Sequence, residues 1–187
     1  ARLTRYQMTL VPHLAYLAHR HNQRIFQQQN VPQIIQSVLS DHGMQPDVWR
    51  FQVSADYPPR PYCVQYNESD LDFIHRLCEE EGLHFHFQHN ADGHVLVFGD
   101  DQTVFPLPDA PTAYAQDSGM VADATVIDRF NVRLETRTTQ VSRRDYHFEK
   151  PNVQLKAEAA EARVPVLEDY GFPGQFTLRD RGEHLSQ

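Results

Sequence analysis

One stretch, Tyr62 to His89 (YCVQYNESDLDFIHRLCEEEGLHFHFQH), constrains this chain more than any other. It reads as strand, capped helix, glycine stop, strand. Tyr62 to Tyr66 is a short aromatic and β-branched run. Ser69 is placed to cap a helix, with Asp72 three residues later in a variant of the capping box. Asp70 and Asp72 sit where the helix dipole is positive. Leu71, Phe73, Ile74, Leu77 and Cys78 share one apolar arc; Asp72, His75, Arg76, Glu79 and Glu80 share the other. Asp72 and Arg76 have the favourable i, i+4 order for an ion pair. Gly82 accepts the left-handed conformation and stops the helix. Leu83 to Gln88 then alternates, with Leu83, Phe85 and Phe87 on one face and His84, His86 and Gln88 on the other.

The rest of the chain is read outward from that stretch. Arg5 to Val11 alternates as a strand ended by Pro12; Leu14 to Ala18 reads as a second strand and His19 to Gln23 as a turn. Asn30 and Pro32 open a helix whose apolar arc is Val31, Ile34, Ile35, Val38, Leu39 and His42, with Gly43 ending it. Val48 to Tyr66 is extended, with the only Trp, Trp49, and a bend at Pro58-Pro59-Arg60-Pro61. Asn90 to Gly93 is a hairpin turn into a strand, His94 to Phe98. Residues 25–99 therefore read as a compact α+β unit of two helices and a small antiparallel sheet. Asp100 to Gly119, rich in Pro, Asp and Ala, reads as linker. Thr125 to Val141 is a polar, β-rich run, and Tyr146 and Phe148 fall in a further strand. Lys156 to Arg163 has high helix propensity but little apolar face. Tyr170 to Gly174 is an aromatic loop, and a helix begins at Leu178.

Charge and motifs exclude several functions. A net charge of −8 argues against nucleic acid or an anionic membrane as the main partner. No apolar run approaches the ~20 residues of a membrane span, so no stable membrane insertion is expected. Residues 1–20 are too polar for a signal peptide. Cys63 and Cys78 are expected to be buried free thiols, which points to a cytoplasmic folding compartment. His84 and His86, with His89 just beyond, form the best candidate metal pair, but no third ligand or second shell is evident. His19 and His21 lie in an expected turn and are weaker still. Glu79, Glu80 and Glu81 crowd the negative end of the helix dipole, against the local rule. Glu81 alone falls on the apolar arc; it is expected either to meet an Arg of its own or a neighbouring subunit, or to escape to solvent in the last turn. Nucleophile elbows, P-loops and dinucleotide fingerprints are absent. The expectation is no catalytic residue, no cofactor and no metal ligand.

Four segments, in order, carry a resemblance. RIFQQQNVPQIIQSVLSDHG (Arg24 to Gly43), YCVQYNESDLDFIHRLCEEEG, RDYHFEKPNVQL (Arg144 to Leu155) and EDYGFPGQF (Glu168 to Phe176) resemble VgrG proteins, the spikes of type VI secretion systems, related to baseplate hubs of contractile phage tails. The resemblance implies a structural rather than enzymatic protein: a homotrimeric hub docking on the Hcp tube, with baseplate proteins and secreted effectors as further partners. It implies synthesis in the cytoplasm, then export without a signal peptide. The implied fold is α+β, with β-barrel-like tube segments flanking the compact unit. Residues 1–24 would end a first tube domain, 25–99 form the middle domain and 100–187 begin a second tube domain with its linker. It also implies an extended connection at 156–163, against local propensity. The chain begins at Ala1 and is expected to be a fragment of a longer protein. Alternatives are a phage or pyocin tail hub of the same fold or, in a different class, a cell-wall-degrading hydrolase using Glu79 to Glu81 or the histidines.

Overall fold

The computed structural model describes residues 3–108, 110–115, 126–162 and 164–186. The chain divides into two compact units, residues 1–104 and 105–187.

The first unit is built around two helices. A 3-10 turn, His13–His19, leads into β1 (His21–Phe26), α1 (Val31–Asp41), β2 (Trp49–Gln52), β3 (Cys63–Ser69), α2 (Asp70–Glu81), β4 (His84–His89) and β5 (His94–Gly99). Helix α1 opens on a full capping box. The Asn30 side chain accepts from the Gln33 N–H while the Gln33 side chain accepts from the Asn30 N–H. Helix α2 starts at Ser69, whose hydroxyl oxygen accepts from the Asp72 N–H, and stops at Gly82 with φ +68°. Ile34, Ile35, Val38 and Leu39 of α1 meet Phe73, Ile74 and Leu77 of α2, with Leu17, Leu96 and Phe98 completing the core. Trp49 is buried and donates through Nε1 to the Met44 carbonyl.

Two small sheets frame these helices. β1 and β3 form an antiparallel ribbon, with Ile25 opposite Val64 and Gln23 opposite Tyr66. The register shifts beyond Gln23, where Asn67 adopts φ +51°, the conformation of a bulge. β4 and β5 form the expected hairpin, closed by Asn90 Oδ1 accepting from the Asp92 and Gly93 N–H groups. β2 joins β5 in parallel, so this sheet is mixed rather than antiparallel as expected. A parallel pairing needs a long crossover, which β3, α2 and β4 supply between the two strands.

In the second unit, β6 (Ala113–Tyr114) pairs with β7 (Val126–Ile127), and β8 (Gln140–Asp145) lies between β9 (Leu155–Ala160) and β10 (Glu168–Gly171). Helix α3 (Arg179–Ser186) begins where the sequence suggests. Leu155, Ala157 and Phe176 make its small core.

Several expectations are corrected. Residues 5–11 form no strand; Tyr6, Met8 and Leu10 are exposed, because alternation supplies a face but not a pairing partner. Leu14 to Ala18 lies in the 3-10 turn, where Leu14 and Leu17 bury at i, i+3. The supposed turn at 19–23 already contains the start of β1. Of Thr125 to Val141, Thr125 lies outside the described residues and 128–139 is mostly without strand structure. Tyr146 and Phe148 are exposed and outside any strand. Lys156 to Ala160 is extended, as the resemblance implied: Leu155 and Ala157 bury at period 2 against β8, and pairing overrides helix propensity. Arg163 lies outside the described residues. The described strands make sheets of two or three strands, and no closed barrel is present among the described residues.

Candidate functional site

The chemistry-bearing side chains of the first unit gather at the two ends of α2. At its start stands Asp70, whose side chain has no solvent exposure. Four donors converge on it: Arg20 Nε at 2.5 Å, Arg24 Nη2 at 2.7 Å, His42 Nε2 at 2.7 Å and Gln65 Nε2 at 2.8 Å. Its backbone N–H donates to the Arg20 carbonyl. Arg24 Nη1 also meets Asp41 at 2.6 Å, and its Nε donates to Gln65 Oε1. The 3-10 turn, β1, the end of α1, β3 and α2 are thus tied to one carboxylate. Burial pushes the Asp70 carboxyl up, but the donors from Gln65, His42 and Arg20 and the Arg24 charge outweigh it and hold its pKa below the usual carboxylate range.

At the other end of α2, the acidic run is consumed by arginines. Arg60, from the proline bend, meets Glu80 at 2.6 Å and Glu81 at 2.5 Å. Arg76 reaches Glu80 at 2.8 Å and Glu68 at 2.7 Å. Glu81 is buried, and its partner lies in the same chain. The anticipated Asp72–Arg76 pairing gives way: Asp72 Oδ2 accepts from the Ser69 hydroxyl while Arg76 turns to two glutamates. Glu80 and Glu81 are bridged by one guanidinium and do not face each other across a cleft, so the arrangement rigidifies a helix end rather than presenting an acid–base pair. Glu79 is exposed.

The remaining candidates fall apart spatially. His84 and His86 share the outer face of β4 with rings 6.4 Å apart, beside Arg50, which donates to Gln88. Burial, His84 and Arg50 push His86 below its ordinary pKa. His89 points to the opposite face and packs near His94, so it does not join the pair. His19 and His21 are exposed. Among the described residues, no group of three or more His, Cys, Asp or Glu side chains could hold a metal ion. Cys63 and Cys78 are free and buried, and burial with the nearby Glu79 charge pushes the Cys78 thiol up to about 12. Neither thiol is poised as a nucleophile.

Sequence reasoning missed the Asp70 cluster. The available signal was an ionisable residue, Asp70, at the first position of a helix, with Gln65 in phase with Cys63 on the preceding strand.

A scaffold of buried ion pairs fits the comparisons with known proteins. The model of the phage tail baseplate hub (GPD) family matches residues 1–187. The chain belongs to this family. It is similar to the type VI secretion system spike proteins VgrG4b and VgrG5 of Pseudomonas aeruginosa, at 61% identity over 190 residues and 55% over 189. These alignments cover 100% and 99% of this chain but 24% of each relative. The chain thus spans about a quarter of the length of those spikes. The actin cross-linking toxin VgrG1 of Vibrio cholerae is 42% identical over 189 residues, 98% of this chain and 17% of that protein. A solved structure, the Escherichia coli c3393 protein, superposes with a TM-score of 0.50 at 33% identity, covering 58% of this chain and 34% of that one. That protein is a component of the type VI secretion system with structural similarity to the bacteriophage T4 tail proteins gp27 and gp5. The kinship with VgrG spikes read from four sequence segments holds over the whole chain.

Proposed function

We propose that residues 1–187 form part of the hub of a type VI secretion spike and act structurally. The observation that carries this is the match to the baseplate hub family along the entire chain. The absorption of the buried carboxylates Asp70 and Glu81 into ion pairs supports a scaffold role. In this reading the whole protein is a homotrimer, docks on the end of the Hcp tube, contacts baseplate proteins and carries secreted effectors. It is made in the cytoplasm and exported by the machine itself.

Residues 1–24 and 100–187 are the parts assigned to two tube-like domains, with 25–99 between them; β1 straddles the first boundary. Two stretches support this division. Tyr6, Met8 and Leu10 alternate and are exposed, as are Phe130, Val132 and Leu134. Such stretches have the pattern of barrel strands whose partners come from further polypeptide. The test is electron microscopy of Hcp tubes mixed with the full-length protein. Threefold density capping tube ends is expected; bare ends with the protein free in solution would overturn the reading.

A further inference from the structure

The outward face of the β1–β3 ribbon is unlike the rest of the first unit. Ile25, Tyr62, Val64 and Tyr66 point to solvent, 59%, 54%, 37% and 73% exposed, with the uncharged Gln23 opposite Tyr66. Gln23, Ile25, Tyr62, Val64 and Tyr66 are uncharged, in a chain that is 22% charged, and exposed His21, two residues before Gln23 on the same face of β1, marks the end of this patch. Depletion of charge with enrichment in tyrosine is the composition of a buried interface centre rather than of a solvated sheet face. The face is also held in place from behind. Arg24 and Gln65, the inward residues that alternate with Ile25, Val64 and Tyr66, are bonded to each other and to Asp70. A rigid, preorganised surface loses little conformational entropy when it is covered.

What covers it follows from chain continuity. Immediately before β1, Tyr16 is 62% exposed on the 3-10 turn, and before that Tyr6, Met8 and Leu10 are 84–93% exposed. Arm, turn and ribbon are consecutive, and each leaves large apolar side chains uncovered. About three-quarters of the length of the similar spikes has no counterpart in this chain, which covers 24% of them.

We propose that the ribbon face of Ile25, Tyr62, Val64 and Tyr66 is an interdomain seat. Its occupant is the tube-like domain of the same subunit to which residues 1–24 are assigned. The inference rests on the hub reading for the existence of that domain. It adds which surface of the middle domain receives it. The contact is intramolecular and centred on Tyr66, and it fixes the middle domain's orientation against the tube.

Hydroxyl-radical footprinting of the full-length protein tests this, with mass-spectrometric readout at Tyr62 and Tyr66. Oxidation at both is expected to be at least tenfold slower in the native protein than in the urea-denatured chain. Protection is expected to be unchanged when the protein is diluted to monomer, with light scattering in parallel. Native rates within twofold of the denatured ones would overturn the seat, as would protection that vanishes with dissociation and so belongs to a second copy. The variant Tyr66→Asp gives a second readout: Tyr62 oxidation in its native state is expected to rise at least fivefold while Trp49 fluorescence stays native. An unchanged Tyr62 rate in that variant also overturns the proposal. Failure of the hub reading is read separately, from the mass of the undiluted protein.

Discussion

Replacing Asp70 removes the carboxylate on which five elements of the first unit converge. The side chain is fully buried and accepts four hydrogen bonds of 2.5–2.8 Å, two from arginines. Charged hydrogen bonds contribute about 1.5–3 kcal/mol each, so a simple sum reaches about 6–12 kcal/mol. That sum overstates the loss. The Arg20 side chain is 38% exposed and regains water, and Arg24 keeps Asp41. His42 and Gln65, 12% and 0% exposed at the side chain and residue level, recover little. Breaking a buried charge pair typically costs about 3–5 kcal/mol, and Asp70→Ala is expected in that range. Asp70→Asn keeps the volume and one acceptor oxygen, and about 2–3 kcal/mol is expected. The assay is urea unfolding followed by fluorescence of Trp49, the only tryptophan, which lies in the same core. Asp41→Asn is the control: its side chain is 55% exposed and its pairing with Arg24 should be worth at most about 1 kcal/mol. If Asp70→Ala falls within about 1 kcal/mol of wild type, or Asp41→Asn costs as much, the cluster is not the joint described.

The same carboxylate sets a pH dependence. Its folded pKa is depressed, so its contribution is complete above the unfolded value of about 3.9 and is lost as pH falls through the lower folded value. The Trp49 urea midpoint should therefore fall below about pH 4, and less steeply in Asp70→Asn. Glu81→Gln should destabilise by about 2–4 kcal/mol, because it removes the buried partner of half-buried Arg60, whereas exposed Glu79→Gln should change stability by less than about 0.5 kcal/mol by the same assay. Ser69→Ala removes the cap of α2 and should cost about 1 kcal/mol, with faster amide exchange confined at first to the Asp72 turn. In the second unit, a Cβ at Gly182 would lie 2.5–2.8 Å from the Phe176 ring. Gly182→Ala should overpack that core by about 1–3 kcal/mol, visible as faster amide exchange in β8 and β9.

What the sequence made legible was local. Ser69, Gly82 and the Asn90 to Gly93 turn each act within a few residues, so α2 and its hairpin could be placed from spacing alone. The Asp70 cluster could not. Its partners Arg20, Arg24 and His42 stand 50, 46 and 28 positions away, and nothing in a linear pattern aligns them. Glu81 was half legible: its place on the apolar arc marked it as unusual, but Arg60 sits in a proline bend with no periodic relation to it. Asn67 inserts a bulge that no alternation count anticipates. Strand β9 shows the opposite failure, where an alanine- and glutamate-rich segment with good helix propensity is held extended by pairing with β8. Tyr6, Met8 and Leu10 have the period of a strand, yet residues 5–11 form none, because alternation names a face and not the pairing partner a strand needs.

The central proposal is that this chain forms part of a threefold structural hub. Multi-angle light scattering of the full-length protein, over a range of concentrations and with and without a chelator, tests it most directly. The account predicts a mass of three subunits, independent of chelator. A monomer or dimer at all concentrations, or an assembly that falls apart when metal is withdrawn, would contradict it.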